Sequence, residues 1–405
     1  MSKSDKKTIL VIGAGWEQRA LIQSIKNEGY FIVATHPKLN ADCFDLADTF
    51  YVKDSRDIPS HIAIAETHQI DAIVTDNCDY SFYTASIIAS KLGLNFASIQ
   101  SAIFSNDKFE QRTTCEQAAI VQPSFRRVRS IRDCEATANE LAFPLILKPV
   151  DSRGTFGVTI VNSANELIIA YYDAISNSPS RTLICEKFIK GTLVTVDGFC
   201  FRNGHQALAV ASRKFEDGPK PVTKEIIYPA RFSKSLNKKL LENHNKVAKA
   251  LNYEYGHTHG EYIVNQKEEI FLVECTNRGG GVYTSSVIVP LLTGIDLNKI
   301  LTNQSLNQDN FTIGANPEGF MTKSIILTFL DFQVGRVIRN INLTEMTELP
   351  YTVRFRSVFG PHDMVESVEN CASRHAMLVL EGSNIEDALQ NLQEFKDKLT
   401  VNYYN

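Results

Sequence analysis

The sequence predicts an α/β domain of the doubly wound type at the N-terminus, followed by a larger α+β region that carries a metal-binding hairpin. Three observations predict it. Short apolar runs at Thr8-Ile9-Leu10-Val11-Ile12, residues 30–34 and Ala72-Ile73-Val74 alternate with helical stretches. From Asn106 the character changes to charged helix and short mixed strands. Around residues 259–281, two β-rich runs flank a polar break and carry acids at matching positions. A chain of 405 residues has room for two or three packed units, and 43% apolar with 22% charged residues is an ordinary globular composition.

The first run reads as a buried strand that turns through Gly13-Ala14-Gly15 into a helix. Gln18 stands where a third glycine would complete a dinucleotide fingerprint, and Ala34-Thr35-His36 ends the second strand without an acid for a ribose. A nicotinamide site is therefore disfavoured. A helix from Tyr83 to Leu92 stops at Gly93, which closes a parallel domain at about residue 105. The basic run Phe125-Arg126-Arg127-Val128-Arg129 is short and alternates poorly, so it reads as a solvated strand edge rather than a nucleic-acid patch. Ser130 and Asp133 are placed to cap the helix after it. Phe143-Pro144-Leu145-Ile146-Leu147-Lys148-Pro149 is a compact strand ending in a lysine, and residues 151–158 form a turn-rich loop with Gly154 and Gly157 to permit motion. Strands at 182–189 and 194–201 and a helix over 236–251 lead to the hairpin. Strands at 324–330 and 335–338 and a helix over 385–399 follow it. The expected boundaries are 1–105, 106–190, 191–310 and 311–405.

In the hairpin, period-two alternation places Glu261 with Ile263 on one strand face and Glu274 with Leu272 on the next. Antiparallel pairing around Lys267 and Glu268 sets Glu261 opposite Glu274 and Ile263 opposite Leu272, with both carboxylates on one face. Two such acids repel, and a hard divalent cation removes the repulsion. Asn277 adds a neutral oxygen where Gly279, Gly280 and Gly281 let the chain bend back. Mg²⁺ shared with substrate phosphates is the natural occupant, and Cys275 points to the opposite face.

A net charge of −4 gives no general drive toward nucleic acid or an anionic membrane. The charged start Met1-Ser2-Lys3-Ser4-Asp5-Lys6-Lys7 does not read as a signal peptide, and no run is long enough to span a bilayer. Eight cysteines are scattered without a C-x-x-C pair, which argues against zinc or a disulfide framework and suits a reducing cytoplasm.

Taken in order, Asn106-Asp107-Lys108 with Arg112, the strand ending Lys148-Pro149, the glycine-containing loop, Cys185-Glu186-Lys187-Phe188-Ile189, and His259-x-Glu261 through Glu274-x-x-Asn277-Arg278-x-Gly280-Gly281 resemble the ATP-grasp superfamily. The likeness is to its carboxylate-amine ligases and the carbamoyl-phosphate-synthase type, and it spans nearly the whole chain. It implies an ATP-grasp fold with a doubly wound pre-ATP-grasp domain, a mobile lid subdomain and a C-terminal catalytic core. It further implies ATP with Mg²⁺, or Mn²⁺, held by Glu261, Glu274 and Asn277. Lys108 and Lys148 would neutralise phosphate oxygens. The lid residues Ser152, Arg153, Gly154, Thr155 and Gly157 would cover them. Glu186, with Lys187 and Ile189 after it, would hold adenine. Arg278 would grip a substrate carboxylate or acylphosphate with its planar fork. Leu193 stands where the family commonly has a ribose-binding acid. Asp197 is the substitute candidate, although a structural role suits it better. Arg354 and Arg356 share a strand face, read as solvated in preference to a second anion site, and His375 reads as structural.

The leading functional expectation is a ligase that activates a small carboxylate as an acylphosphate and joins it to an amine, releasing ADP and phosphate. ATP-dependent carboxylation or carbamoylation with bicarbonate is the alternative, though no carrier motif or glutaminase cysteine accompanies it. A non-catalytic ATP-binding module is the third, disfavoured by the joint presence of lysines, loop and acids. Partners are expected to be small molecules, with neither nucleic acid nor membrane, and a homodimer is left open.

Overall fold

The computed structural model describes residues 6–152, 156–215, 222–313, 323–368 and 373–404. The N-terminal domain is a parallel sheet of β1 (Thr8–Ile12), β2 (Phe31–His36), β3 (Thr49–Val52) and β4 (Ala72–Val74), ordered β3-β2-β1-β4. Every residue of β1 is buried because both sheet faces are covered. Ile9 and Val11 pack toward α1 (Arg19–Asn27), while Leu10 and Ile12 pack toward α2 (Ile58–His68) and α3 (Asp79–Leu92). Gly93 ends α3 in the left-handed region, φ 68°, as its place after the last apolar position predicts. The pattern does not announce β3, whose half-exposed residues at the sheet edge carry only a weak apolar signal.

After α4 (Ile99–Asn106) and α5 (Lys108–Gln117) come β5 (Phe125–Val128), β6 (Leu145–Pro149), β7 (Thr159–Val161) and β8 (Leu183–Lys187). They form an antiparallel sheet ordered β5-β8-β6-β7, backed by helices Ile131–Leu141 and Ala164–Ser176. The basic run is the edge strand β5, its Arg126 and Arg127 paired with Glu140 and Glu110. Those pairings satisfy the charges locally.

The remaining strands are β9 (Thr192–Phe201), β10 (Gly204–Phe215), β11 (Thr223–Tyr228), β12 (Gly256–Val264), β13 (Ile270–Thr276), β14 (Ser324–Leu330), β15 (Ile338–Ile341), β16 (Thr352–Ser357), β17 (Ala376–Gly382) and β18 (Val401–Tyr403). Eight of them build one antiparallel sheet ordered β13-β12-β9-β10-β11-β14-β17-β16, while β15 pairs with β18. Helix Lys234–Ala250 packs Leu240 and Val247 against Val196 and Leu272 on one face. On the other face an apolar cluster runs without a break from Phe199 and Ile325 into Ile9 and Val11 of the N-terminal domain. The C-terminal helix Ile385–Lys398 covers β14 and β17. Among the described residues no helix is long and apolar enough to cross a membrane. Six of the seven described cysteines are buried, with at least one behind each of the three large sheets.

Candidate active site

The hairpin of β12 and β13 sets Glu261 and Glu274 as direct cross-strand partners, as alternation predicts. Beyond that pair the expected register fails. Tyr262, not Ile263, faces Leu272, because Val273 is an extra residue that bulges β13. Glu274 and Leu272 therefore lie on opposite faces: Leu272 is buried with Tyr262 and Cys275, and Glu274 faces the cleft. The bulge is held from outside the sheet. Arg112, fully buried on α5, donates from Nη1 to Leu272 O (2.7 Å) and from Nη2 to Val273 O (2.8 Å). The carbonyl of Val121, in the connection from α5 to β5, accepts from the Leu272 amide at 3.0 Å.

The same guanidinium reaches the four-stranded sheet, with Nε 2.8 Å from Glu186 Oε1. Lys148 Nζ lies 2.9 Å from the other oxygen, Glu186 Oε2. Burial alone would raise the Glu186 carboxyl, but Arg112 and Lys148 hold it down at about 2. Both of its oxygens thus serve to orient two cations. Lys187, on the opposite strand face, turns its ammonium to the carbonyls of Ala142 and Phe143, and Ile189 sits half-buried in the connection to β9.

Asp107 caps α5 by accepting from the amides of Phe109 and Glu110, and this fixes the start of Lys108. Lys108 Nζ lies 3.3 Å from Glu274 Oε2 and donates to Ser152 O at 3.0 Å. The Glu274 carboxyl is also held at about 2, against burial, by Lys108, Lys148 and Arg278. Glu261 meets Arg213 of β10 at 2.7 Å. Arg278 is half-buried with its fork on Asp79, Nε to Oδ1 at 2.7 Å and Nη2 to Oδ2 at 3.2 Å. Four cations therefore surround two acids. A cavity beside Glu274, lined by Asp79, Lys108, Ser152, Thr276 and Arg278 among others, is about 30 Å³. A cavity that small admits water but not a triphosphate, so nucleotide entry needs the Lys108–Ser152 contact to part.

Asn277 is not part of this cavity, which corrects the expected ligand set. Glu274, Thr276 and Arg278 alternate onto the cleft face, and Cys275 and Asn277 point away. Asn277 is fully buried, its Nδ2 clamped to Tyr255 O (2.6 Å) and His257 O (3.0 Å), with Oδ1 unpartnered. Two carbonyl acceptors fix that orientation of the amide. The two remaining carboxylates are hard donors that suit a divalent cation completed by substrate oxygens. Among the described residues no three His, Cys, Asp or Glu side chains form a self-sufficient metal site.

Of the lid residues, Arg153, Gly154 and Thr155 lie outside the described residues. Gly157 is buried at φ 69°, where a Cβ would come within 3.1 Å of Ala174 and Pro149, so its glycine answers to packing. Asp197 accepts from His259 Nδ1 (2.7 Å) and Tyr228 OH (2.6 Å) inside the sheet and has the structural role, as does His375 between the Phe332 amide and Glu366 O. Arg356 pairs with Asp42 at 3.0 Å over the Trp16 ring, and Arg354 lies over Tyr283. Sequence reasoning missed Arg213 and Asp79. Arg213 reaches Glu261 across the intervening strand β9, and Asp79 has the sequence context of an ordinary acid in the first turn of a helix.

The family model of the ATP-grasp domain matches residues 141–286. An alanine–anticapsin ligase of Bacillus amyloliquefaciens is 23% identical over 309 residues, which cover 69% of this chain and 63% of the relative. The chain thus spans less than two thirds of the curated relatives it first matches. In three dimensions it is similar to an L-amino acid ligase from Bacillus licheniformis, with TM-score 0.83, 15% identity and coverage of 99% of this chain and 100% of that one. It is also similar to a phosphoribosylglycinamide synthetase from Anaerococcus prevotii, with TM-score 0.79, 18% identity and the same coverage. The chain has the ATP-grasp fold, with the matched ATP-grasp domain at its centre.

Proposed function

We propose that this chain is an ATP-dependent ligase. It would transfer the γ-phosphate of ATP to a small carboxylate, then join the acylphosphate to an amine with release of phosphate. The observation that carries the reading is the cross-strand pair Glu261 and Glu274 within reach of Lys108, Lys148, Arg213 and Arg278. Phosphoryl transfer asks mainly for charge neutralisation and alignment, and this cluster supplies both without a protein nucleophile. Mg²⁺, or Mn²⁺ in its place, would be held by Glu261 and Glu274 and would neutralise phosphate oxygens. Lys148, fixed by Glu186, and Lys108 would bind the phosphates, and Arg278 the carboxylate. The names of the alanine–anticapsin and L-amino acid ligases support the C–N ligase class. The four segments expected from sequence would serve as pre-ATP-grasp domain, lid, core and completing lobe, in a reducing cytoplasm.

The test is ADP release from paired acids and amines with Mg²⁺, in parallel with a hydroxylamine trap. Hydroxamate formed from an organic acid, and ADP release that rises when the amine is added, is the expected result. ADP release that needs bicarbonate and yields no hydroxamate would hand the reaction to a carboxylase.

A further inference from the structure

Strand β13 ends the eight-stranded sheet, so the outer side of its backbone faces no further strand. Groups from the α5 side of the molecule take that place. Along the first half of β13 they are Val121 O and the Arg112 guanidinium. Along the second half the partner is Gln111, which is 2% exposed on α5. Its Oε1 accepts from the Cys275 amide at 2.8 Å, and its Nε2 donates to the Cys275 carbonyl at 2.5 Å. One planar amide thus meets both backbone groups of one residue, which is the pairing a neighbouring antiparallel strand would make. Nε2 also donates to Phe104 O at 2.9 Å, and the three contacts fix which end of the amide carries the oxygen.

Cys275 stands between the two side chains that face the cleft, Glu274 and Thr276. Its own side chain is buried on the opposite face with Leu272 and Tyr262. Whatever holds its backbone therefore sets how far Glu274 reaches into the cleft. Helix α5 acts on that carboxylate from two points, because Lys108, Gln111 and Arg112 are three and four residues apart and share one helix face. Lys108 Nζ lies 3.3 Å from Glu274 Oε2, while Gln111 grips the backbone of the next residue. Tyr253 OH is a second donor to the Cys275 carbonyl, at 2.9 Å, but the Cys275 amide rests on Gln111.

We infer that Gln111 is a positioning residue for the divalent cation: acting through the Cys275 backbone, it holds Glu274 opposite Glu261 and against Lys108. The inference rests on the metal assignment within the ligase reading and adds to it a residue that lies outside the cleft.

The test is the affinity of the full chain for Mn²⁺ beside a non-hydrolysable ATP analogue, read from the paramagnetic resonance signal of the free ion. Gln111→Met keeps the length of the side chain and loses every hydrogen bond of the amide. It should weaken Mn²⁺ binding by about tenfold or more, the usual effect of removing a group that orients a metal ligand. Affinity for the analogue without metal should stay close to the parent's. Tyr253→Phe removes a bond to the same carbonyl but leaves Gln111 in place, so it should retain the parent's Mn²⁺ affinity. Because Gln111 acts through Glu274, adding Gln111→Met to Glu274→Gln should cause no further loss. If Gln111→Met prevents cooperative folding in urea, Gln111→Asn, which keeps the amide one methylene short, is read in its place and should lose affinity in the same direction. The proposal is overturned if folded Gln111 variants bind Mn²⁺ as the parent does, if Tyr253→Phe loses as much, if the Gln111 and Glu274 losses add, or if the parent holds no Mn²⁺ beside the analogue. ADP release from acid and amine pairs, run in parallel, separates the two readings. Mn²⁺ binding that depends on Gln111 without ADP from any pair counts against the ligase and for the positioning role. ADP release by a chain whose Mn²⁺ affinity is indifferent to Gln111 does the reverse.

Discussion

Glu186 orients two buried cations beside the cleft, since Arg112 and Lys148 each take one of its oxygens. Removing its charge leaves two buried cations facing a neutral group, so Glu186→Gln should cost about 3–5 kcal/mol at neutral pH in a urea titration. The pH dependence has a definite sign. The folded carboxyl titrates at about 2, below its ordinary 4.5, so its stabilisation is complete above about pH 4.5 and is lost as pH falls toward 2. The Gln variant should lose less stability over that window than the parent, and equal acid sensitivity would show that Glu186 is not the group concerned. Arg278→Lys keeps the charge and loses the planar fork that meets Asp79. Turnover with paired substrates should fall by at least tenfold with little change in ATP affinity, checked by steady-state ADP release over a matrix of ATP and acid concentrations. Lys148 and Glu186 were legible in the sequence because a charge inside an apolar strand stands out. Their pairing with Arg112 was not, since 74 residues separate Arg112 from Glu186.

The β12–β13 hairpin shows what alternation can and cannot carry at the scale of an element. Period two found the opposed acids, but one extra residue at Val273 reverses every later parity relative to Leu272. Counting parity through the bulge gives Glu274 the wrong neighbours. Reading oxygen chemistry without parity selected Asn277, although Thr276 shares the cleft face. The bulge also separates function from packing, because Leu272 and Cys275 fill the core while Glu274 does not. Glu274→Gln should therefore abolish ADP formation while the chain still folds cooperatively, its thermal midpoint lowered by the lost pairing with Lys108. Loss of the cooperative transition itself would mean the carboxylate is required for folding. Arg112→Met, which releases the bulge carbonyls and Glu186 together, should instead lower both stability and activity.

Across the whole molecule, the doubly wound domain was legible because fully buried parallel strands are continuous apolar runs. The eight-stranded sheet was not, because it gathers strands from residue 192 to residue 382 whose pairing no local pattern encodes. The domains meet through one continuous apolar cluster, through Ser285 on Asp76, and through Arg278 on Asp79. Asp79→Ala strands the Arg278 charge at that junction. It should lower stability by roughly 3 kcal/mol and raise the KM for the carboxylate more than that for ATP, measured by denaturation and ADP release. The buried cysteines extend the same logic to kinetics. Burial pushes the thiols of Cys134 and Cys185 up to about 12 and those of Cys43 and Cys115 to about 11, so the folded chain offers almost no thiolate at these positions. Each sheet thus carries its own silent clock. A pulse of alkylating reagent, read peptide by peptide in a mass spectrometer, would time the opening of the N-terminal sheet at Cys43, the four-stranded sheet at Cys185 and the large sheet at Cys200.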